Sequence, residues 1–284
     1  MLLLADVGNS RMKWGLVRGE CIEHMAALPL PTDLEQAQRC WQQRLQAWQV
    51  PTGVFWIIAS TNPPAADLLQ RWLQDRGDSV RRLKSHQELP IQTRVDFPER
   101  VGLDRLLNAI AANHRLGQGR PKYIVDAGSA ITLDWIDAQG VFCGGAILPG
   151  FRLMAEALHR YTARLPLVAP SGEFPALPAR HTQAAIQAGI LAAVLGAITT
   201  LKERYLQVYK SPSAMQGLHT ACPDNQDTCT DVHNDTLEPV CFLTGGDSEL
   251  LIEHLGGSFL HWPEMTLEGL RIVAAQWGES PAAH

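Results

Sequence analysis

Two stretches of this chain begin alike. Ala5-Asp6-Val7-Gly8-Asn9-Ser10 and Val125-Asp126-Ala127-Gly128-Ser129-Ala130 each close an apolar run with Asp-x-Gly and a small polar residue, then enter a second strand-like run. This repeat constrains the fold more than any other feature. A strand that ends in Asp-x-Gly turns tightly and brings backbone N–H groups against an anion, because glycine puts no side chain in the way. The adjacent carboxylate can hold the anion's metal ion, directly or through water. Two such hairpins imply duplicated halves that address one phosphate group. The same residues also suit an ordinary β-hairpin turn, and it is the repetition that favours phosphate. No Gly-x-x-x-x-Gly-Lys-Ser/Thr occurs, which disfavours a P-loop enzyme.

A chain of 284 residues, 46% hydrophobic and 19% charged, can bury a large core and divides most simply into two domains. Its net charge of -5 and pI near 6.0 argue against nucleic acid or an anionic membrane as main partner. Met1-Leu2-Leu3-Leu4 is interrupted by Asp6 too soon for a signal peptide and reads as a first strand. The run Ile190 to Ile198 is less than half a membrane span. Six scattered cysteines do not form a small secreted disulfide scaffold, so a cytoplasmic protein with free thiols is expected.

In chain order, Cys21 to Leu28 reads as a third strand, and Leu34, Ala37, Trp41, Leu45 and Trp48 recur at helical spacing. Val54 to Ala59 is a continuous apolar run, the pattern of a strand buried on both faces, and a second helix follows Pro63-Pro64. Such alternation predicts an α/β fold. The polar stretch 88–100 reads as an extended loop, ahead of a helix containing Leu106, Ile110 and Leu116. Glycines and a proline between Leu116 and Pro121 place the domain boundary there, giving domains 1–118 and 119–284. In the second domain come the Asp126 hairpin, a strand from Val141 to Leu148, a helix from Phe151, a proline-rich irregular segment and a long helix from Thr182. A polar loop over 211–239, the strand Val240 to Thr244 with its glycine turn, and a final helix through Leu267, Leu270, Val273 and Trp277 complete it.

Around the first turn, Asp6, Gly8, Asn9, Ser10 and Lys13 supply a carboxylate, backbone and side-chain donors and a cation, the set a triphosphate with Mg²⁺ requires. Gly245-Gly246 after an apolar strand suits either a closely approached adenosine or an ordinary strand-to-helix turn. Asp104 follows Gly102 at the start of a helix, where the helix dipole keeps a carboxylate ionised. A weak base suffices for an alcohol attacking ATP, since phosphoryl transfer needs positioning more than strong deprotonation. Arg105 can clamp a carboxylate or phosphate, and the same pair also reads as an N-cap beside a surface charge. His219, Cys222, Cys229 and His233 invite a zinc reading, but the six-residue gap between the cysteines is not a usual finger spacing, and a solvated loop is expected.

Asp-Val-Gly-Asn-Ser at 6–10, Gly-Leu-Asp-Arg at 102–105, Asp-Ala-Gly-Ser-Ala-Ile-Thr at 126–132, Gly-Gly-Ala-Ile-Leu-Pro-Gly at 144–150 and Thr-Gly-Gly at 244–246 together resemble the type III pantothenate kinases of the actin, Hsp70 and sugar-kinase superfamily. The resemblance spans nearly the whole chain apart from 211–239. It implies two duplicated actin-like (ribonuclease H-like) α/β domains with an interdomain nucleotide cleft, a homodimer, pantothenate as substrate, and ATP with Mg²⁺ and K⁺ or NH₄⁺ as cofactors. By that resemblance Asp6, Val7, Gly8, Asn9, Ser10, Arg11, Met12, Lys13 and Ser129 contact ATP, Asp104 accepts the proton, and Gly102, Leu103, Asp104, Arg105 and Thr182 contact pantothenate. Asp126 is then the acid associated with the monovalent cation. Val95 stands where many members carry tyrosine, so one hydrogen bond to substrate is expected to be lost or supplied differently. A kinase for another small alcohol such as a sugar, and a non-catalytic regulator with the same fold, are the alternatives.

Overall fold

The first Asp-x-Gly turn joins Leu2–Val7 (β1) to Arg11–Arg18 (β2), and Cys21–Pro29 (β3) extends the antiparallel meander. The computed structural model describes residues 1–30, 33–210 and 238–278. Phe55–Ser60 (β4) and Ser79–Arg82 (β5) add in parallel on the other side of β1, giving the order β3-β2-β1-β4-β5. Leu34–Ala47 (α1) begins where Asp33 accepts the N–H of Gln36, and Pro63–Asp75 (α2) where Asn62 accepts that of Ala65. These two helices bury their apolar stripes against one sheet face, in a core that holds Trp14, Trp41 and Trp56. Asp78, 5% exposed, accepts from the backbone of Gly53 and Val54 and from the indole of Trp56, and pairs with Arg76. That buried carboxylate is a strut, its charge met by donors on every side.

The opposite face of this sheet carries Leu103–Leu116 (α3) and a helix from the far end of the chain. The second unit repeats the plan. Lys122–Ala127 (β6), Ala130–Ile136 (β7) and Phe142–Pro149 (β8) form the meander, with Val240–Thr244 (β9) and Phe259–His261 (β10) parallel beside β6, in the order β10-β9-β6-β7-β8. Strand for strand this is the first sheet again. Phe151–Tyr161 (α4), Thr182–Lys210 (α5) and Glu249–Leu255 (α6) accompany it. Ile186, Ile190, Leu191, Val194 and Ile198 of α5 are buried with Tyr123, Val125 and Leu133 of the sheet. By length and composition alone α5 is apolar enough to cross a membrane, a test that the core helix of a soluble protein also passes; one face of it belongs to this core.

By contacts, the first unit comprises Met1–Ile91, Asp96–Leu116 and the described residues from Glu264, and the second comprises Gln92–Val95 and those between Gly117 and Pro263. This division departs from the sequence boundary twice. Met265–Gln276 (α7), expected with 119–284, packs on α3, β1, β2 and β4; the Thr266 hydroxyl donates to Asn108 at 2.9 Å, both buried, and Arg81 stacks on Trp277 at 3.5 Å. Burial decides this: the apolar surface of α3 needs a second helix, and α7 supplies it. Residues 92–95, expected as part of a loop, bridge to β8 through Thr93 and Phe142, where Arg94 N–H donates to the Phe142 carbonyl at 2.8 Å.

Candidate functional site

In each unit the turn between the first two strands occupies the equivalent place in that unit's own sheet. The pattern of burial is identical along Leu2 to Ser10 and along Lys122 to Ala130: four buried residues, the half-buried aspartate, a buried residue, the half-buried glycine and two exposed residues. Gly8 N–H donates to the Arg11 carbonyl at 3.1 Å, whereas Gly128 N–H donates to that of Ala130 at 3.1 Å, so the second turn is one residue shorter. Asn9, Ser10 and Ser129 are exposed, Arg11 and Lys13 half-buried, Val7 and Met12 buried. Val7 and Met12 therefore serve the core with their side chains and have only their backbone to offer a ligand.

Register fixes what flanks each aspartate. Paired residues on neighbouring strands point to the same sheet face. Asp6 stands between Lys13 on β2 and Ala59 on β4. Asp126 stands between Thr132 on β7 and Thr244 on β9. Thr132 donates its hydroxyl to Asp134 at 3.2 Å, and Asp134 is fully buried. Thr244 is also fully buried, and among the described residues its Oγ1 has no hydrogen-bond partner. A sequence scan for Asp-x-Gly could not single out Thr244, because only strand pairing brings it beside Asp126.

In the first unit α3 and α7 lie on the face that carries Asp6 and Lys13: Leu267 comes to 3.4 Å from the position a Cβ on Gly15 would take, and Gly15 shares that face. Asp104 is the second residue of α3 and half-buried, one place past the start rather than at the N-cap. Its Oδ1 accepts the N–H of Arg105 at 2.8 Å, which fixes the carboxylate's orientation. A Cβ on Gly102 would stand 2.5 Å from that oxygen, so glycine alone leaves this arrangement in place. Leu103 and Arg105 are half-buried beside it. Thus the first unit brings together Asp6–Lys13 and Gly102–Arg105 on one sheet and its covering helix, while the second holds Asp126, Ser129 and the exposed Thr182 that opens α5.

Two further expectations are sharpened. Gly245 is buried with φ +97, and a side chain there would overlap the backbone of Ala127; its neighbour Gly246 is exposed. The first glycine of the pair is thus demanded by protein backbone, not by a ligand. Val95 Cγ1 lies 3.3 Å from where a Cβ on Gly144 would be, an apolar contact within the second unit. Below it, Arg94 donates to the buried Asp137 at 3.1 Å, and burial together with the Asp137 charge pushes the Cys143 thiol up to about 11. Among the described residues no group of three or more His, Cys, Asp and Glu is placed to hold a metal ion; His219, Cys222, Cys229 and His233 lie outside them.

Comparison with known proteins gives the family context. The family model described as type III pantothenate kinase matches residues 2–204. A type III pantothenate kinase of Rhodopirellula baltica is 36% identical over 196 residues, 67% of this chain and 66% of the relative. One from a Synechococcus species is 32% identical over 273 residues, covering 94% of this chain and 90% of the relative. Among solved structures, a Baf family transcriptional activator from Campylobacter jejuni aligns over 97% of this chain and 98% of its own, with TM-score 0.57 and 18% identity. A 2-dehydro-3-deoxygalactonokinase protein from Sinorhizobium meliloti aligns over 98% and 99%, with TM-score 0.52 and 12% identity. At such identities the likeness concerns the fold, an α/β chain with two five-stranded mixed sheets of matching strand order.

Proposed function

The chain belongs to the type III pantothenate kinase family, and from that premise we propose that it transfers the γ-phosphate of ATP to the primary hydroxyl of pantothenate. The products are 4'-phosphopantothenate and ADP, and the reaction is the first step of coenzyme A biosynthesis. The observation that carries the assignment of roles is Asp104, a half-buried carboxylate held in one orientation at the start of α3 by the Arg105 N–H and by the absence of a side chain on Gly102.

In this reading Asp104 accepts the hydroxyl proton as the substrate oxygen forms its bond to phosphorus and the bond from the γ-phosphorus to the β–γ bridging oxygen breaks. The proton passes late, so an ordinary carboxylate suffices and the work lies in positioning. Gly102, Leu103, Arg105 and Thr182 contact pantothenate, with Arg105 suited to its carboxylate. Residues 6–13 cradle the ATP phosphates: the exposed Asn9 and Ser10 and the backbone of the turn donate, Lys13 adds charge, and Asp6 holds Mg²⁺ directly or through water. Bound Mg²⁺ would neutralise charge on the phosphates. Ser129 contacts ATP from the second turn. Asp126 holds the monovalent cation, K⁺ or NH₄⁺, and the hydroxyls flanking it are the hard oxygen donors such a cation takes. The proposal includes a homodimer in the cytoplasm, checked by light scattering of the purified protein.

The test is an ATP-dependent assay of pantothenate phosphorylation with two variants. Asp104→Asn is expected to lose about 100-fold or more in kcat while keeping the fold, and turnover near wild type would sink the assignment. Gly102→Ala should also fold, since the atom in its way ends a side chain that can rotate, yet lower kcat by displacing the carboxylate. A panel of sugars in place of pantothenate should give no ADP above background.

A further inference from the structure

The two aspartates occupy equivalent places but keep different company. Beside Asp6 the protein supplies its own cation, Lys13, and across the other strand a methyl group, Ala59. Beside Asp126 it supplies two hydroxyls, Thr132 and Thr244. Thr132 uses its proton to bond Asp134, which leaves its oxygen only acceptor capacity. Thr244 is fully buried at the end of β9, and among the described residues its oxygen has no hydrogen-bond partner. A buried hydroxyl left without a partner is costly, and where it persists a ligand or ion usually explains it.

We propose that Thr244 is a ligand of the cation held at Asp126, its hydroxyl oxygen completing with Thr132 and the carboxylate an oxygen-lined site on this face of the second sheet. The inference rests on the reading of Asp126 given above and extends it to the threonine that opens the Thr-Gly-Gly motif, a residue to which the resemblance assigns no role. The donor set indicates the kind of occupant. The residues in register with Asp126 are neutral oxygen donors, and the buried carboxylate of Asp134, bonded by Thr132, lies on the same face, whereas the residue in register with Asp6 on β2 is a lysine. Neutral hydroxyls favour a hard cation such as K⁺ over softer metals. The neighbouring turn is fixed independently, since Asp247 N–H donates to the Ala127 carbonyl at 2.9 Å and Gly245 packs on the same backbone. Thr244 is therefore delivered to Asp126 by a rigid corner, not by a movable loop.

The test needs neither ATP nor pantothenate. Thermal unfolding of wild type, Thr244→Val, Thr244→Ser and Asp126→Asn is followed at constant ionic strength while K⁺ replaces choline, with binding read from the rise in Tm. Wild type should be stabilised by K⁺, Thr244→Ser should keep the response, and Asp126→Asn should lose it. Thr244→Val should weaken K⁺ binding by roughly tenfold, the worth of one such contact. In choline alone it should match or exceed the wild-type Tm, because it removes a buried hydroxyl that no protein group satisfies among the described residues. A merely structural threonine would show the reverse, a lower Tm in choline with the K⁺ response intact, and that result overturns the inference. An unresponsive wild type would overturn the cation reading of Asp126 and Thr244 together, whereas a responsive wild type with a fully responsive Thr244→Val would remove Thr244 alone.

Discussion

The first hairpin stands nearly by itself, while the second is gripped. At the first turn, a Cβ added to Gly8 would meet only the Arg11 carbonyl at 3.2 Å, and the strand end is tied to its neighbour by Thr61 N–H and the Ser60 hydroxyl, both donating to the Val7 carbonyl at 3.1 Å. At the second, Gly150 at the start of α4 lies so close that a side chain would overlap the backbone of Gly128 and Ser129, and Gly245 lies as close to Ala127. Equal topology therefore does not mean equal restraint. A turn one residue longer, with a lysine beside its aspartate, has few close contacts to hold it. A shorter turn clamped between two glycines, with a threonine in register on each side of its aspartate, is built to stay where it is.

The sharpest way to break this contrast is to put a methyl group at each corner. Gly245→Ala combines a positive φ with overlap against Ala127, and should cost about 3 kcal/mol or more of stability in urea denaturation. Gly8→Ala should cost about 1 kcal/mol or less. Similar losses at both corners would erase the difference in restraint. Next in size is the exchange of cation for hydroxyl. Lys13→Ala removes a charge-assisted contact and should lower kcat/KM for ATP by about 100-fold, while Thr132→Val should lower it about tenfold and cost about 1 kcal/mol through the lost bond to Asp134. A reversed order would mean that the second turn, not the first, dominates ATP binding.

The smallest effect separates the third strands. Cys21 on β3 is exposed, whereas the Cys143 thiol on β8 is raised from 9.0 to about 11 by burial and by Asp137, with Arg94 opposing. The thiolate is the reacting form, so at pH 8 Cys143 should alkylate at least about tenfold more slowly than Cys21, as read by peptide mass mapping. Because the folded value lies above the unfolded one, Cys143 supports folding fully below pH 9, and that support fades as pH rises through about 11. Cys143→Ala should flatten this part of the stability profile.

Much of this was legible in the chain. Asp-x-Gly at 6–8 and 126–128, the apolar runs around them and the helical spacing from Leu34 to Trp48 located the hairpins and helices, because turn chemistry and periodicity are local properties. Ser79–Arg82, short and polar, and Phe259–His261, only three residues long, escaped notice because neither shows a strand pattern. For Gly245 the sequence left a ligand's glycine and an ordinary turn equally open, because sequence shows that a side chain is excluded, not what excludes it.

By itself, then, the sequence determined an α/β chain with duplicated halves, the two turns that carry Asp6 and Asp126, and the Gly102-x-Asp104 helix start. Tertiary structure alone decided that α7 returns to cover α3, that residues 92–95 join the second sheet, and that Asp126 is flanked by Thr132 and Thr244 where Asp6 has Lys13 and Ala59. The reason is physical. Local conformation follows from neighbours along the chain, but which strand lies beside which, and in what register, is set by the burial of whole faces. Thr244 lies 118 residues along the chain from Asp126, and only the pairing of β6 with β9 makes them neighbours.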